Sequence, residues 1–239
     1  MLAGKKAIVT GAGRGIGLAI AHAMYKEGAR LTTVSKTKEN LDRLRTELPG
    51  IETVCVNMRD WESTRRSLEK LPPFDILVNN AGYGLSGSFI NMPREVTDNM
   101  IDVNIKGMIN VTQIIAAGMI AGGNGGAIVN VSSVASHRSF RDHTVYAATK
   151  AAIDAITRNL AREFAPHKIR VNSVNPSYVS TDMTKHIPEA AVEKLRLLTP
   201  TKRLLTPEEV AEAVLFLVNG SASSINGVNL LLDGGYSAT

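Results

Sequence analysis

The chain has 239 residues, 44% hydrophobic and 21% charged, which is typical of one globular domain with a substantial core. Its single cysteine, Cys55, excludes an internal disulfide framework and a cysteine-rich zinc site, and we predict no metal site. The formal net charge of +5 comes from scattered basic residues rather than one basic run, so we expect no nucleic-acid partner.

Short apolar segments alternate with helical patterns along the chain. The first residues lead directly into an apolar strand without the apolar core of a secretory signal. No later apolar stretch reaches the ~20 residues that we expect of a membrane span. We therefore expect a cytoplasmic protein with no membrane partner. Strands are predicted at 7–9, 30–35, 52–56, 75–78, 127–132, 169–174 and 228–232, and helices at 15–27, 38–47, 94–118, 145–164 and 207–218.

The predicted strands are unbroken apolar runs, as expected when helices cover both faces of a parallel sheet. The fold class is therefore α/β, a single-domain Rossmann-type doubly wound parallel sheet over residues 1–239. The longest stretch without a predicted element is 176–206, which is polar and contains three prolines. Ligands of such sheets bind beyond the carboxyl ends of the strands, so we predict that 176–206 is a substrate lid.

A glycine-rich turn joins the first strand to the first helix. Glycines here let the backbone approach a pyrophosphate, and the helix N-terminus offers free N–H groups. The spacing is Gly-x-x-x-Gly-x-Gly rather than the usual Gly-x-Gly-x-x-Gly, and a plain glycine turn is the alternative. The candidate cofactor-binding residues are Gly11, Gly13, Arg14, Gly15, Ile16 and Gly17.

The end of the second strand bears on the choice of cofactor. An NAD site commonly has an acidic residue there for the ribose hydroxyls, whereas this chain has Ser35 and Lys36. Together with Arg14 they suit a 2′-phosphate, so we predict NADPH/NADP⁺ as cofactor. The alternative is that Arg14 and Lys36 are ordinary exposed residues.

Tyr146 and Lys150 lie four residues apart and so share one face of a predicted helix. Ser133 lies just past the fifth strand, where its hydroxyl can approach that of Tyr146. Carbonyl reduction needs a proton for the developing alkoxide, and a tyrosine with an ordinary pKa near 10 is a competent donor. Lys150 would stabilise the phenolate, and Ser133 would hold the substrate oxygen.

These motifs, with Asn79-Asn80-Ala81-Gly82 and Asn104, resemble the short-chain dehydrogenase/reductase superfamily along essentially the whole chain. The resemblance implies that Asn104 completes a catalytic tetrad with Ser133, Tyr146 and Lys150 by helping to hold a water, and that Tyr146 and Lys150 also contact the cofactor. It implies further cofactor contacts for Asn57, Met58, Asn80, Ala81, Gly82, Pro176, Val179 and Thr181. Two positions depart from the family pattern: Asn57 stands where an Asp is frequent, and Ser177 where a glycine is frequent.

Within that superfamily the chain is most similar to the tetrameric L-xylulose/dicarbonyl reductases, chiefly through Pro49-Gly50-Ile51-Glu52 and Asp60-Trp61-Glu62. The similarity implies NADPH-dependent reduction of small sugar ketones or α-dicarbonyls, L-xylulose to xylitol and diacetyl among them. It also implies a homotetramer built on the helices 94–118 and 145–164 and on the segment 230–236. The substrate-binding residues expected beside Ser133 and Tyr146 are Val134, His137 and Phe140.

Two other functions stay open from the sequence. A 3-oxoacyl-carrier-protein reductase shares the same motifs and would need a basic docking patch, for which Arg138 and Arg141 are candidates. A non-catalytic NADP(H)-binding sensor on the same fold is the third reading, because fold does not imply function. Such a sensor has no need to keep Ser133, Tyr146 and Lys150 together.

Overall fold

The computed structural model describes residues 1–181 and 189–238, and in these seven strands form one parallel sheet. The strands are β1 Lys6–Thr10, β2 Arg30–Ser35, β3 Glu52–Cys55, β4 Ile76–Asn79, β5 Gly126–Val131, β6 Ile169–Pro176 and β7 Asn229–Leu232. Their order across the sheet is β3-β2-β1-β4-β5-β6-β7, and every neighbouring pair is parallel. The chain is thus an α/β Rossmann-type fold, as predicted, and the strand order reverses between β1 and β4.

The helices are α1 Gly15–Lys26, α2 Lys38–Glu47, α3 Trp61–Leu68, α4 Arg94–Ile101, α5 Met108–Gly122, α6 Thr144–Phe164, α7 Glu189–Leu198 and α8 Pro207–Val218. A π-helical segment, Asp102–Gly107, joins α4 to α5. Short 3₁₀ turns occur at 89–91, 134–136, 165–167, 220–222 and 236–238.

Two apolar cores lie on opposite faces of the sheet because successive strand residues point to opposite sides. Val9 of β1 packs with α1 and α8 in one core, and its neighbour Ile8 packs with α3, α5 and α6 in the other. Both side chains are fully buried. This double coverage explains why the strands are apolar without alternation.

Most predicted boundaries are confirmed to within two residues, and two differences concern helices. The predicted helix 94–118 is interrupted by the π segment and runs on to Gly122, where Gly123 takes a left-handed φ of 67° and ends it. The predicted irregular stretch 176–206 contains α7, Glu189–Leu198, so that expectation was wrong for those residues. Of the predicted lid, residues 182–188 lie outside the described part of the chain.

Helix α3 was not predicted at all. It has only eight residues, and Trp61 and Leu68 are its only large apolar side chains, so the sequence offers no long apolar pattern to mark it. Its N-cap Asp60 accepts a hydrogen bond from the backbone N–H of Ser63 at 2.8 Å. The helix packs on α5 and closes the second core near β3.

One continuous helical stretch within the described residues, Arg94–Gly122, is long and apolar enough to cross a membrane by length and composition. Its most apolar window has a mean hydropathy of 1.3 and is 44% buried in the fold. This is weak evidence for a span, because the core helix of a globular protein meets the same criterion. The helical stretch is longer than the predicted helix 94–118, because α4, the π segment and α5 follow one another without a non-helical residue.

Candidate active site

The candidate site lies where β1 and β4 end side by side, at the reversal of strand order. The Thr10 hydroxyl oxygen accepts the backbone N–H groups of Asn80 and Ala81, each at 3.1 Å. The side-chain amide of Asn80 donates back to the carbonyl oxygens of Thr10 at 3.0 Å and Gly11 at 3.2 Å. The glycine turn and the Asn80-Ala81-Gly82 loop are therefore locked together, as two walls of one cleft.

The backbone of the glycine turn packs tightly against neighbouring residues of the chain. A Cβ on Gly11 would lie 2.8 Å from the Cα of Ala81, and one on Gly13 would lie 2.9 Å from the Ser35 hydroxyl oxygen. Larger residues are excluded at both positions. Helix α1 starts at Gly15 with no side-chain cap and no acidic residue in its first turn, so its N–H groups stay available to an anion.

The residues predicted to bind a 2′-phosphate, Arg14, Ser35 and Lys36, lie in or beside this turn. Arg14 is the N-cap of α1 and is exposed, as is Lys36 just after β2. The Ser35 hydroxyl accepts the backbone N–H of Thr37 at 3.4 Å. Sequence reasoning missed Arg43 of α2, whose guanidinium donates to the carbonyl of Gly13 at 3.3 Å and so steadies the turn that carries Arg14.

Asn57 and Met58, for which the family resemblance implies cofactor contacts, lie just after β3. Met58 is buried, and a Cβ on Gly107 would lie 2.8 Å from its carbonyl oxygen. Asn57 is exposed, and its side-chain oxygen accepts the N–H of Arg59 at 3.2 Å. Asn57, which stands where the family frequently has an Asp, is thus compatible with a tight turn at this position.

The loop after β6 reaches the same cleft from the other side. Pro176 ends β6 and is buried, and Val179 pairs with Leu205 in a short parallel bridge. A Cβ on Gly15 would lie 3.5 Å from the Cγ2 of Thr181, so this loop closes over the glycine turn. Ser177 donates its N–H to the carbonyl of Leu232 at 2.9 Å and is not among the positive-φ residues, so serine is unstrained where the family frequently has glycine.

Lys150 is buried on helix α6, with 5% of its surface exposed. Its ammonium donates to the carbonyl of Val131, the last residue of β5, at 2.9 Å. Burial lowers the pKa of Lys150 to about 8, and the Asp154 carboxylate opposes that shift. The ammonium also lies 5.6 Å from the centre of the Tyr146 ring. The spacing of Tyr146 and Lys150 therefore does bring a cation beneath the phenol.

Tyr146 is partly buried and packs against Gly84, where a Cβ would lie 2.9 Å from the ring. Burial raises the pKa of Tyr146, while a side-chain hydrogen bond from Ser133 lowers it. The Ser133 oxygen in turn accepts the N–H of Ala135 at 3.1 Å, which leaves its O–H proton for the phenol or for a substrate oxygen. At neutral pH the phenol is protonated and can act as a donor.

Asn104 lies in the π segment and is 1% exposed. Its oxygen accepts the N–H of Tyr83 at 2.8 Å, and its amide donates to the carbonyl of Tyr83 at 2.9 Å and to the hydroxyl of Thr149 at 3.0 Å. The π segment turns this side chain toward the loop after β4 and toward α6, as such segments do at functional sites. Holding a water remains a prediction for Asn104; its contacts tie three parts of the site together.

Aromatic side chains stand on the open side of Tyr146. Phe140 stacks on Tyr236 with ring centres 5.9 Å apart and meets Tyr178 edge-on, also at 5.9 Å. His143 lies 6.4 Å from the Tyr146 ring and shares a hydrogen bond with the Ser86 hydroxyl at 3.0 Å. Neither His143 nor Tyr178 was among the residues that the sequence predicted for the site; for His143 the only signal was its three-residue spacing to Tyr146.

The other two predicted substrate residues are placed differently. Val134 is 2% exposed beneath the loop that follows Ser133. His137 contacts Asp154, with its Nε2 3.2 Å from a carboxylate oxygen. A substrate role for either stays a prediction. Within the described residues no three His, Cys, Asp or Glu side chains are grouped to bind a metal.

Comparison with known proteins agrees with this geometry. A family model described as enoyl-(acyl carrier protein) reductase matches residues 11–237. L-xylulose reductase of Mus musculus is 44% identical over 244 residues, covering 100% of this chain and 98% of the relative. A 3-oxoacyl-[acyl-carrier-protein] reductase of Thermotoga maritima is 39% identical over 242 residues, covering 98% of each chain.

Solved structures give the same result. A short chain dehydrogenase/reductase family protein superposes with a TM-score of 0.92 at 35% identity, covering 99% of each chain. A gluconate 5-dehydrogenase from Burkholderia cenocepacia, solved with NADP and tartrate, superposes with a TM-score of 0.94 at 29% identity, covering 100% of this chain and 97% of that one. The fold, the order of the motifs and these full-length likenesses place the chain in the short-chain dehydrogenase/reductase family, as an oxidoreductase acting on CH–OH or C=O groups.

Proposed function

We propose that this protein is an NADPH-dependent carbonyl reductase for small sugar ketones and α-dicarbonyls. The observation that carries the proposal is the convergence of three groups at one point. The phenol of Tyr146 receives a hydrogen bond from Ser133 and lies over the ammonium of Lys150. A proton donor, an oxygen-binding hydroxyl and a buried cation are the groups that carbonyl reduction requires of the protein.

The cofactor, when bound, supplies the hydride, and the protein does the rest. Ser133 donates to the substrate oxygen and holds it beside the phenol. Tyr146 gives its proton to that oxygen as negative charge develops on it. Lys150 and the Ser133 hydroxyl then stabilise the phenolate left behind, at a site where burial strengthens both interactions. Lys150 would also bind the nicotinamide ribose hydroxyls.

The choice of NADPH rests on Arg14, Ser35 and Lys36. The structure brings the glycine turn and the end of β2 together, since Ser35 lies against Gly13. No acidic side chain occurs at 33–37, where one would favour NAD. The NADP bound to the gluconate 5-dehydrogenase from Burkholderia cenocepacia supports the same preference by analogy.

The substrate class follows from two lines of support. The relative from Mus musculus is named L-xylulose reductase, and the open side of Tyr146 joins an aromatic wall to a polar pair, Ser86 and His143. Such a cleft suits a short molecule that carries both apolar and hydroxyl or carbonyl groups. L-xylulose and diacetyl are therefore the substrates to test first.

A 3-oxoacyl-carrier-protein reductase is the second candidate, favoured by the Thermotoga maritima relative. The basic patch that it would need is weakened by the contacts of Arg138. That guanidinium donates to the carbonyl of Tyr236 at 3.2 Å and stacks 5.7 Å above its ring, while Arg141 lies apart on the surface beside Asp142. Arg138 is therefore engaged within the fold, and the charge of Arg141 is opposed by its neighbour Asp142.

We also propose a cytoplasmic homotetramer. Phe216 of α8 and Leu231 of the edge strand β7 are 50% and 38% exposed, and Ala148 and Ala151 are exposed small residues on α6. Apolar side chains on an edge strand favour burial against a second copy. Light scattering after size exclusion at the monomer mass would refute the assembly.

The test of function is a panel of NADPH oxidation rates on diacetyl, L-xylulose, a 3-oxoacyl thioester and a bulky aryl ketone. We expect the highest kcat/KM with diacetyl or L-xylulose. A thioester rate that far exceeds both would establish the carrier-protein function instead. Failure of all four, with NADPH still bound, would favour a non-catalytic NADP(H)-binding sensor.

A further inference from the structure

A buried carboxylate lies directly beyond the catalytic pair on helix α6. Tyr146, Lys150 and Asp154 follow one another at intervals of four residues and therefore lie along one helix face. The side chain of Asp154 is only 4% exposed. A carboxylate this deeply buried needs hydrogen-bond or ion-pair partners. The mechanism proposed above assigns no role to it.

Its partners come from two other elements. Oδ2 lies 3.2 Å from the Nε2 of His137, in the loop after β5, and 2.8 Å from the amide nitrogen of Asn175, in β6. Oδ1 lies 3.1 Å from the same amide and 3.4 Å from the hydroxyl of Ser173. The carboxylate thus joins α6 to the loop after β5 and to β6.

The same contacts reach Ser133. The Asn175 amide lies 2.9 Å from the Ser136 hydroxyl oxygen and 3.3 Å from the carbonyl oxygen of Ser133. Ser136 donates to that carbonyl at 2.6 Å. One carboxylate therefore sits beneath both the helix that carries Lys150 and the turn that carries Ser133.

We propose that Asp154, docked by His137 and Asn175, is a positioning residue for carbonyl reduction, which keeps Lys150 a cation and fixes the Ser133 turn against helix α6. The proposal rests on the roles assigned above to Tyr146 and Lys150. It does not depend on which carbonyl compound is the substrate.

Several groups act on the ammonium of Lys150. Burial lowers the pKa of Lys150, and Asp154 is the charged group that raises it. Tyr146 on α6 and the Val131 carbonyl on β5 also face the ammonium. The neighbouring ion pairs Arg94–Asp98 and Asp102–Lys106 are each joined within their own helical segment, and His137 faces the carboxylate rather than the lysine. Removing the Asp154 charge must therefore lower the pKa of Lys150 further.

The experiment is the pH dependence of kcat/KM for NADPH, which reports ionisations of the free enzyme. Reduction needs the ammonium, so activity falls as pH rises through the pKa of Lys150. Asp154→Asn is expected to move this alkaline limb to lower pH by about half a unit or more, which is roughly a threefold extra loss above the midpoint. Glu163→Gln removes one exposed charge from the same helix and is expected to leave the limb in place.

A second variant keeps the test decisive where Asp154→Asn does not fold. His137→Arg places a permanent cation beside the same carboxylate, at a position where the His137 side chain is 38% exposed. Because this cation offsets the charge of Asp154, we expect the alkaline limb to move to lower pH here as well. NADPH fluorescence and the melting temperature report whether each variant is folded. A limb that stays at the parent pH in a folded variant, or a loss equal at all pH values, would overturn the proposal.

Tyr146→Phe separates this proposal from the proposed function. If that variant is as active as the parent, the assigned roles of Tyr146 and Lys150 fail, and this proposal fails with them. If it is inactive while Asp154→Asn keeps the parent limb, only the role of Asp154 is wrong.

Discussion

The ammonium of Lys150 donates a hydrogen bond to the carbonyl oxygen of Val131 at 2.9 Å, which joins helix α6 to the end of strand β5. The bond fixes the lysine below the Tyr146 ring rather than in solvent. The ammonium is also buried, and the loss of its hydration lowers the stability of the folded state. Catalytic competence and stability therefore oppose each other at this residue.

Lys150→Met should abolish reduction and at the same time stabilise the fold near neutral pH. The folded pKa of about 8 lies below the ordinary 10.5, so the unfolded state binds more protons between these values. The cost of the buried ammonium is complete below pH ~8 and disappears as pH rises toward ~10.5. We expect the free energy of unfolding at pH 7 to rise by about 1–2 kcal/mol. This figure includes the cost of leaving the Val131 carbonyl without its hydrogen bond.

Urea unfolding of parent and Lys150→Met at pH 7 and pH 10 measures this difference. The gain should shrink at the higher pH because the parent lysine is then neutral in the folded state. A Met variant that is less stable than the parent at pH 7 would contradict the burial of a costly charge.

Tyr146→Phe should lower kcat by ~10²–10⁴-fold, since it removes the proton donor and keeps the ring that packs on Gly84. Stopped-flow rates of NADPH oxidation measure it. The dissociation constant of NADPH, followed by its fluorescence, should change little because the ring remains. Retention of more than about a tenth of the parent kcat would assign proton donation to another group.

Lys36→Asp should shift cofactor preference from NADPH toward NADH by at least about tenfold in kcat/KM, because a carboxylate repels the 2′-phosphate and accepts from ribose hydroxyls. The matched control is Lys26→Asp, the same charge change at the exposed last residue of α1. Equal efficiency of the parent with NADH and NADPH would already count against a phosphate site here.

Glu209→Gln tests how much the first turn of helix α8 contributes to the stability of the fold. Glu209 completes a capping box with Thr206 and pairs with Arg203 at 2.6 Å. The Arg203 contact is the main cause that lowers the pKa of Glu209 from 4.5 to about 2. The carboxylate therefore stabilises the folded state above pH ~4.5, and this contribution is lost as pH falls through ~2.

Because Glu209 is well exposed to solvent, we expect the variant to lose less than about 1 kcal/mol at pH 7. The melting temperatures of parent and variant should converge on acidification. Thr206→Ala, which removes the other half of the box, should cost about 1 kcal/mol without that pH dependence. A Glu209→Gln deficit that is the same at pH 3 and pH 7 would contradict the charge assignment.

The fold was predictable because its signals are local. Each central strand is an apolar run, and helices α1, α6 and α8 carry periodic apolar faces that neighbours in sequence reveal. Helix α3 escaped notice because its eight residues contain only two large apolar side chains, and α7 because it lies in a stretch that is polar and contains three prolines. The π segment was not predictable, since its extra residue is held by contacts of Asn104 with Tyr83 and Thr149.

The sequence by itself determined the pairing of Tyr146 with Lys150, because four-residue spacing on a helix fixes it whatever the surroundings. It also determined the glycine turn, because the glycines fall between an apolar strand pattern and a helical pattern. Only the tertiary structure decided that His137 contacts Asp154, that Asn175 links Asp154 to the Ser133 turn, and that Arg138 contacts Tyr236. These contacts join residues that are distant in sequence and lie on separate strands, helices and loops, so only the packing of those elements brings them together.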